Sequence, residues 1–204
     1  MTATLLFNNR KTGPSESDEA VRRVAGGLER IGVGPGDVVC LMLHNAPEFL
    51  ETMFATRLLG AYYCPINWHY KAEEAGWILQ DSGAKAVVIE PALQAQIVVP
   101  NTVSVVSTGE WPQWRSAQPE WNGNPRSPGT LMPYTSGTTG RAKGVRRVRQ
   151  TPEQLALLQR DLIQVLGIEP GMRALHPAPL YHSAPSSYAL ESLASCAHPS
   201  WPVR

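Results

Sequence analysis

YTSGTTGRAKG, residues 134–144, is the most informative stretch of this sequence. Five of its eleven residues carry a hydroxyl group, three are glycine, and two, Arg141 and Lys143, are cationic. Glycine lets the backbone turn tightly and present its N–H groups to a ligand, while hydroxyl groups add donors and the cations neutralise negative charge. The stretch therefore predicts a site for a polyanion such as a nucleoside triphosphate, although the same composition also occurs in ordinary surface turns.

Short extended segments are predicted on both sides of this stretch, over residues 130–133 and 145–148, so it should be the loop of a strand–loop–strand hairpin. A P-loop NTPase would need G-x-x-x-x-G-K-[ST] at the start of a helix, and Ala142 stands where the second glycine of that motif would be. The dinucleotide-binding pattern G-x-G-x-x-G is absent as well. The sequence therefore supports neither of these two nucleotide-binding folds.

The string YTSGTTGxxKG resembles the phosphate loop of the adenylate-forming enzymes, a superfamily that contains acyl-CoA synthetases, adenylation domains of peptide synthetases, and luciferases. Ala142 departs from the family pattern, which usually has proline there, so this loop should be less rigid before it binds a ligand. The resemblance implies that the nucleotide is held by Thr135, Ser136, Gly137, Thr138, Thr139, Gly140 and Lys143.

Composition and charge indicate a folded chain. With 204 residues, of which 43% are hydrophobic, the chain can bury a sizeable core as one large domain or two small ones, which excludes disorder. Its 18 Lys and Arg residues against 17 acidic ones point to neither a nucleic acid nor a membrane. The longest apolar run, residues 38–43, is far too short for a transmembrane segment, and the start of the chain lacks the signal-peptide pattern. A cytoplasmic location with reduced cysteines is therefore expected.

A local basic cluster over residues 141–149 leaves one alternative open. The sequence GTTG followed by Arg141 fits the G-x-x-G loop of a KH nucleic-acid module. That loop should join two helices, whereas strands are predicted here. Cations beside a phosphate loop are the simpler explanation, and no nucleic-acid partner is predicted.

Helices and strands alternate along the chain, which predicts an α/β fold with mostly parallel sheets and flanking helices. Helices are predicted over residues 16–31, 71–82, 151–166 and 186–193, and a further one is opened by a capping box of Asn45 and Glu48 and stopped by Gly60. Strands are predicted over residues 38–43, 61–64, 87–89, 102–106 and 172–176. The buried face of the helix after Thr151 should contain Leu155, Leu158, Leu162, Val165 and Leu166.

The composition changes over residues 107–128, which are rich in Pro, Gly, Asn and Ser and contain scattered tryptophans. This segment is interpreted as a connector. It separates a first α/β subdomain, residues 16–106, from a partial subdomain, residues 129–193, that contains the phosphate loop and the acyl pocket. An atypical tail, residues 194–204, suits neither a helix nor a strand.

PLYHSAP, residues 179–185, has the prolines and small residues of a loop that lines a cavity and then opens a helix. It resembles the P-L-Y-H segment of acyl-CoA synthetases, in which the His or aromatic residue lies at the acyl-binding pocket. The resemblance implies that Tyr181 and His182 line the substrate pocket, with His182 facing the carboxylate and the nucleotide. His176 and His182 lack metal-ligand spacing, so no metal site is predicted.

The resemblance covers about residues 17–193, the first part of the family's large N-terminal domain. It implies an acyl-CoA synthetase that uses ATP and Mg²⁺ to activate a carboxylic acid and then transfers the acyl group to CoA. The family's Y-G-x-T-E segment, ribose-binding Asp and catalytic Lys have no counterpart in this sequence. The chain is therefore expected to be a fragment without a complete catalytic set and inactive alone. A non-catalytic nucleotide-binding or interaction protein derived from a decayed synthetase is the alternative.

Overall fold

The computed structural model describes residues 4–124, 126, 130–135, 141–146, 151–169 and 172–196. A short antiparallel hairpin of β1 (Leu5–Phe7) and β2 (Arg10–Thr12) comes first. The central sheet that follows is formed by β3 (Val38–Met42), β4 (Tyr62–Pro65), β5 (Ala84–Ile89) and β6 (Ser104–Ser107). Its strand order is β4-β3-β5-β6, and all three neighbouring pairs are parallel. The predicted α/β fold with a parallel sheet is thereby confirmed.

Helices connect and flank these strands. In the described ranges they are α1 (Pro14–Arg30), α2 (Pro47–Leu59), α3 (Ala72–Asp81), α4 (Pro91–Gln94), α5 (Trp111–Ser116), α6 (Pro152–Val165) and α7 (Ser183–Cys196). The predicted elements between residues 16 and 106 all exist, with ends that differ by a few residues.

The sheet lies between two helical layers because alternate residues of a strand point to opposite faces. Val39 and Leu41 of β3 pack in the same hydrophobic cluster as residues of α1 and α2. Cys40 and Met42 of the same strand pack in a second cluster, which contains the buried residues of α3. A strand that is buried on both faces requires a continuous apolar run, which is what residues 38–42 supply.

Cys40 and Cys64 are free, buried and adjacent in the register of β3 and β4. A hydrogen bond with Cys40, together with burial, raises the pKa of the Cys64 thiol well above its ordinary value. Both side chains therefore act as small apolar groups of the core, in agreement with the expected reduced cysteines.

Helix α2 is buried over most of its surface, and as predicted it ends at Gly60, whose φ of +70° is the left-handed conformation that glycine adopts at little cost. Its start differs from the prediction. The residue before the first turn is Ala46, and the predicted capping box of Asn45 and Glu48 does not form. The Asn45 side chain is engaged instead with residues 178–180, a contact that local sequence cannot reveal.

The segment over residues 107–128 contains a helix, α5, and its tryptophans are part of the core. The side chains of Trp111 and Trp121 are 2% and 4% exposed and belong to the cluster on the α1 and α2 side of the sheet. The segment therefore packs along the first α/β unit where the structure describes it. The division into two subdomains stays a prediction.

Helix α6 begins as predicted, with a capping box in which Thr151 and Gln154 exchange hydrogen bonds. Its predicted buried face is wrong at two positions, whereas Leu162 and Leu166 are half-buried and the side chain of Leu155 lies outside what the structure describes. Leu158 is 39% exposed and Val165 is 81% exposed, because this helix packs mainly against α7 among the described elements. Helical spacing identifies an apolar face, but only a neighbouring element can bury it.

Residues 172–176 form no strand in the described structure, so the strand predicted there is wrong. An extended segment becomes a strand only where a second backbone pairs with it, and no described segment does so here. Helix α7 is longer than predicted, from Ser183 to Cys196, and it includes the first three residues of the expected atypical tail. Residues 197–204 of that tail lie outside the described residues.

Candidate functional site

The glycine-rich stretch lies between two strands, β7 (Tyr134–Thr135) and β8 (Lys143–Gly144), which pair antiparallel. The predicted hairpin is confirmed, with strands closer to the loop than the flanking segments that the sequence indicated. Thr135 and Lys143 are direct partners in the register, and both are exposed. Ser136, Gly137, Thr138, Thr139 and Gly140 lie outside the described residues. Because the flanking elements are strands and not helices, the KH alternative is excluded.

The hairpin lies at the β4 edge of the central sheet. Leu131 makes an isolated parallel bridge with Tyr63, and the backbone N–H of Met132 donates to the Tyr63 carbonyl oxygen at 2.9 Å. The chain thus runs beside β4 immediately before it enters β7. This pairing fixes where the hairpin starts relative to the sheet.

Helix α3 contacts the hairpin at its first strand and at the residue before its second strand. The Tyr134 hydroxyl donates to Oδ2 of Asp81 at 2.7 Å, and the Trp77 indole N–H donates to the Ala142 carbonyl oxygen at 3.1 Å. Burial is the main cause that raises the pKa of Tyr134 well above its ordinary value, and the hydrogen bond to Asp81 adds to it. Tyr134 therefore stays a neutral phenol that can donate.

The second predicted site, at Tyr181 and His182, lies at the start of α7. The loop that precedes it is held by Asn45, whose Nδ2 donates to the Ala178 carbonyl oxygen at 2.9 Å and whose Oδ1 accepts from the Leu180 N–H at 2.8 Å. His182 is exposed and Tyr181 is half-buried, and their ring centroids are 4.4 Å apart. A side chain directly after β3 thus positions the loop that carries both predicted residues.

Further rings extend from Tyr181 along the carboxyl ends of the central strands. Trp68 meets Tyr181 edge-on at 6.2 Å between ring centroids, and His44 lies 4.3 Å from Trp68. Nδ1 of His44 lies 2.9 Å from Oε2 of Glu90, and the His44 backbone N–H donates to the same carboxylate at 2.6 Å.

Sequence reasoning assigned no role to His44, Trp68 or Glu90. A usable signal was nevertheless present, because these residues follow β3, β4 and β5 closely, and ligands of open parallel sheets bind outside the carboxyl ends of the strands. The structure brings this ring cluster together with Tyr181.

His176 lies beside α7, where Ser192 Oγ is 3.3 Å from its Nε2 and Tyr188 is 5.1 Å away between ring centroids. Burial lowers the pKa of His176, so the ring is held neutral. No three His, Cys, Asp or Glu side chains of the described residues are grouped as a metal site would require. None of the helices that the structure describes is long and apolar enough to span a bilayer.

Comparison with known proteins gives a consistent family assignment. The family model described as AMP-binding enzyme matches residues 3–196. A feruloyl-CoA synthase from Amycolatopsis is 33% identical over 172 residues, which are 83% of this chain and 34% of that protein. The 4-coumarate–CoA ligase 5 of Oryza sativa subsp. japonica is 37% identical over 139 residues, or 63% of this chain and 26% of that protein.

Solved structures show the same likeness. The inhibitor-bound N-terminal domain of FACL13 from Mycobacterium tuberculosis has a TM-score of 0.72 and 26% identity, over 93% of this chain and 49% of that one. ATP-bound MatB from Rhodopseudomonas palustris has a TM-score of 0.75 and 25% identity, over 92% of this chain and 39% of that one. The chain spans only about a third of the length of the feruloyl-CoA synthase and about a quarter of that of the 4-coumarate–CoA ligase.

Proposed function

Because this chain belongs to the AMP-binding enzyme family, we propose that it is the nucleotide-binding part of an ATP-dependent acyl-CoA synthetase. In such a ligase the oxygen of a carboxylic acid attacks the α-phosphorus of ATP, which forms an acyl adenylate and releases pyrophosphate. The thiol of CoA then attacks the acyl carbon and displaces AMP, which gives a thioester. The protein's part is to position the carboxylate and to offset the negative charge of the phosphates.

The observation that carries this proposal is the pairing of Thr135 with Lys143 at the base of the hairpin. A hydroxyl group and an ammonium group are exposed side by side where the glycine-rich loop begins and ends. Their chemistry fits a triphosphate, because a lysine ammonium is a compact cation that binds phosphate oxygens. We assign the nucleotide phosphates to Thr135, Ser136, Gly137, Thr138, Thr139, Gly140 and Lys143.

The acyl pocket is assigned to Tyr181 and His182. The rings of Trp68 and His44, which continue from Tyr181, support this assignment, since aromatic side chains commonly line small-molecule pockets. Two relatives are named for feruloyl and 4-coumarate groups, which are aromatic acids that such rings could stack against. A carboxylic acid is the proposed substrate class, and CoA is the proposed acceptor.

The described residues offer groups that could bind the phosphates of ATP, but they offer no such set of ligands for Mg²⁺. No cluster of carboxylates among them could hold the ion by itself. Mg²⁺ is therefore proposed to arrive bound to the phosphates of ATP, and no step is assigned to it here.

Isothermal titration with ATP·Mg tests the nucleotide site. We expect measurable binding that falls at least tenfold in the double variant Thr138→Ala with Lys143→Ala, because a donor and a cation that contact phosphate are both removed. Thermal melting of both proteins controls for folding. Equal ATP affinity in a folded double variant would contradict the assignment.

The same preparation tests activity. Pyrophosphate release over a panel of aryl and fatty acids should stay near background. The family's Y-G-x-T-E segment and catalytic Lys have no counterpart in this sequence, and loss of several transition-state contacts together reduces rates by many powers of ten. Fast turnover by the purified chain would show that the catalytic set is complete without further sequence.

A further inference from the structure

Helix α3 and the hairpin form a contact that no motif of the sequence indicates. Four hydrogen bonds or ring contacts join residues that lie more than fifty positions apart in the chain. On the helix side they use Trp77, Asp81 and Ser82, which belong to the last turns of α3 and the residue after it. On the hairpin side they use Tyr134 of the first strand and residues that flank the second strand, namely Arg141, Ala142 and Arg146.

The contact with the first strand is made through Tyr134. Its hydroxyl donates to Asp81 at 2.7 Å, and its ring lies over Gly144 of the second strand. A Cβ atom at Gly144 would come within 2.9 Å of this ring, so glycine is what allows the ring to cross the hairpin. Tyr134 therefore connects both strands of the hairpin to the end of α3.

The contact with the segment directly before the second strand is made through Trp77. Its indole N–H donates to the Ala142 carbonyl oxygen at 3.1 Å, and the Arg141 guanidinium lies 4.6 Å from the centroid of one of its rings. Two residues beyond the strand, Arg146 donates to the Ser82 carbonyl oxygen at 3.2 Å and lies 5.5 Å from the Tyr62 ring centroid. The chain is thus held at the residue before Lys143, through its backbone, and again at Arg146, through its side chain.

We propose that Trp77 and Asp81 are positioning residues for nucleotide binding: they hold the two strands of the hairpin against α3, so that Thr135 and Lys143 stand opposite each other. The inference rests on the proposed nucleotide site. A pair of strands only two residues long is marginal in water, and tertiary contacts must hold its geometry. Trp77 and Asp81 provide such contacts from a helix that belongs to the central α/β unit. Neither side chain is proposed to touch the nucleotide.

Four variants and a control separate this role from a general loss of stability. Trp77→Phe keeps an aromatic ring for Arg141 and removes the indole N–H. Tyr134→Phe and Asp81→Ala each remove one partner of the other hydrogen bond, whereas Asp81→Asn keeps an acceptor oxygen and should rescue it. Gln80→Ala, at an exposed position of the same helix, is the matched control.

Hydrogen–deuterium exchange of residues 134–146 and ATP·Mg titration are the two measurements. In Trp77→Phe, Tyr134→Phe and Asp81→Ala we expect faster exchange of these amides and about fivefold weaker ATP·Mg binding, as loss of one hydrogen bond of ordinary strength implies. Exchange in the strands of the central sheet should not change. Asp81→Asn and Gln80→Ala should behave like the parent chain.

The two proposals fail in different ways. If the parent chain does not bind ATP·Mg, the nucleotide site is wrong, and exchange alone then decides whether α3 holds the hairpin. If the parent binds ATP·Mg but Trp77→Phe and Asp81→Ala show unchanged exchange and affinity, the positioning role is overturned. It is also overturned if Asp81→Asn is as impaired as Asp81→Ala.

Discussion

At the scale of single residues, several side chains have roles that differ from those their local sequence indicates. Asn45 precedes a helix, as an N-cap would, yet its amide group binds the backbone of Ala178 and Leu180. An amide offers both a donor and an acceptor, so one side chain can satisfy two backbone groups of a loop that makes few hydrogen bonds of its own. In this protein the amide group of Asn45 does not cap the helix; it joins two parts of the chain that are distant in sequence.

Glu191 of α7 gives a prediction about pH. The residue is only 7% exposed, its Oε2 has no hydrogen-bond partner, and burial raises its pKa above the ordinary value of 4.5, against the opposing effects of Arg57 and Gln159. The folded state therefore favours the neutral acid. Well below pH 4.5 the carboxyl group is protonated in both the folded and the unfolded state, and its ionisation does not affect stability. As the pH rises towards the folded-state pKa, ionisation favours the unfolded chain and stability falls.

Glu191→Gln removes this dependence, because an amide does not titrate. We expect the variant to be more stable than the parent at pH 7 and the difference to vanish well below pH 4.5, where the parent's carboxyl group is protonated in both states. Urea unfolding at a series of pH values measures it. A difference that does not depend on pH would show that the carboxyl group is not the cause.

At the scale of elements, α5 packs on α2 through partly buried polar contacts, and residues 117–121 pack on α1 through a close backbone approach. The Trp111 indole N–H donates to Oε2 of Glu51 at 2.7 Å, and Arg115 binds the other oxygen of that carboxylate at 2.6 Å. A Cβ atom at Gly26 would lie 2.0 Å from the Pro119 carbonyl oxygen. Glycine in the middle of α1 is therefore a requirement of packing, although it weakens the helix by itself.

Gly26→Ala tests this close approach. Because the atom that a Cβ would meet belongs to the backbone, it cannot move aside as a flexible side chain would, and we expect a loss of about 1–3 kcal/mol. Gly76→Ala in α3 is the control, since the nearest atom there is 3.7 Å from the added Cβ. That change should be neutral or should stabilise by up to about 1 kcal/mol through helix propensity. Equal effects of the two substitutions in thermal melting would contradict the packing argument.

At the scale of the whole molecule, the buried and the exposed apolar groups are unevenly distributed. The central sheet has helices on both faces, and its strands are largely buried. Helix α6 is different, because Leu157, Leu158 and Val165 are 53%, 39% and 81% exposed. Leu175 adds a further side chain that is 80% exposed. Leu158 and Val165 lie seven positions apart and so share one face of α6, and an exposed apolar face favours contacts between molecules.

Val165→Glu should therefore reduce self-association at high protein concentration, as light scattering or sedimentation would measure. Stability should change by less than about 0.5 kcal/mol, because the side chain is already in water. Gln164→Glu, at the neighbouring exposed position, introduces the same charge without removing an apolar group. If both variants associate less to the same extent, charge and not the apolar surface is responsible.

The sequence by itself determined the features that depend on local pattern and on recognisable motifs. Continuous apolar runs predicted the strands of the parallel sheet, helical spacing and Gly60 predicted α2, and the glycine-rich stretch with its flanks predicted the hairpin. Each of these is encoded within about a dozen neighbouring residues, because backbone geometry fixes the periods of helices and strands. The motif YTSGTTGRAKG also indicated the family to which the chain belongs.

Only the tertiary structure decided which side chains meet across the chain. Trp77 and Ala142, Tyr134 and Asp81, and Asn45 and Leu180 are separated by 65, 53 and 135 positions, and no local pattern pairs them. Local sequence was also insufficient for two predictions that were wrong, the strand over residues 172–176 and the burial of Leu158 and Val165 on α6. Strand pairing and burial need a second element at the right distance, and the sequence of one segment does not show which other segment will pack against it.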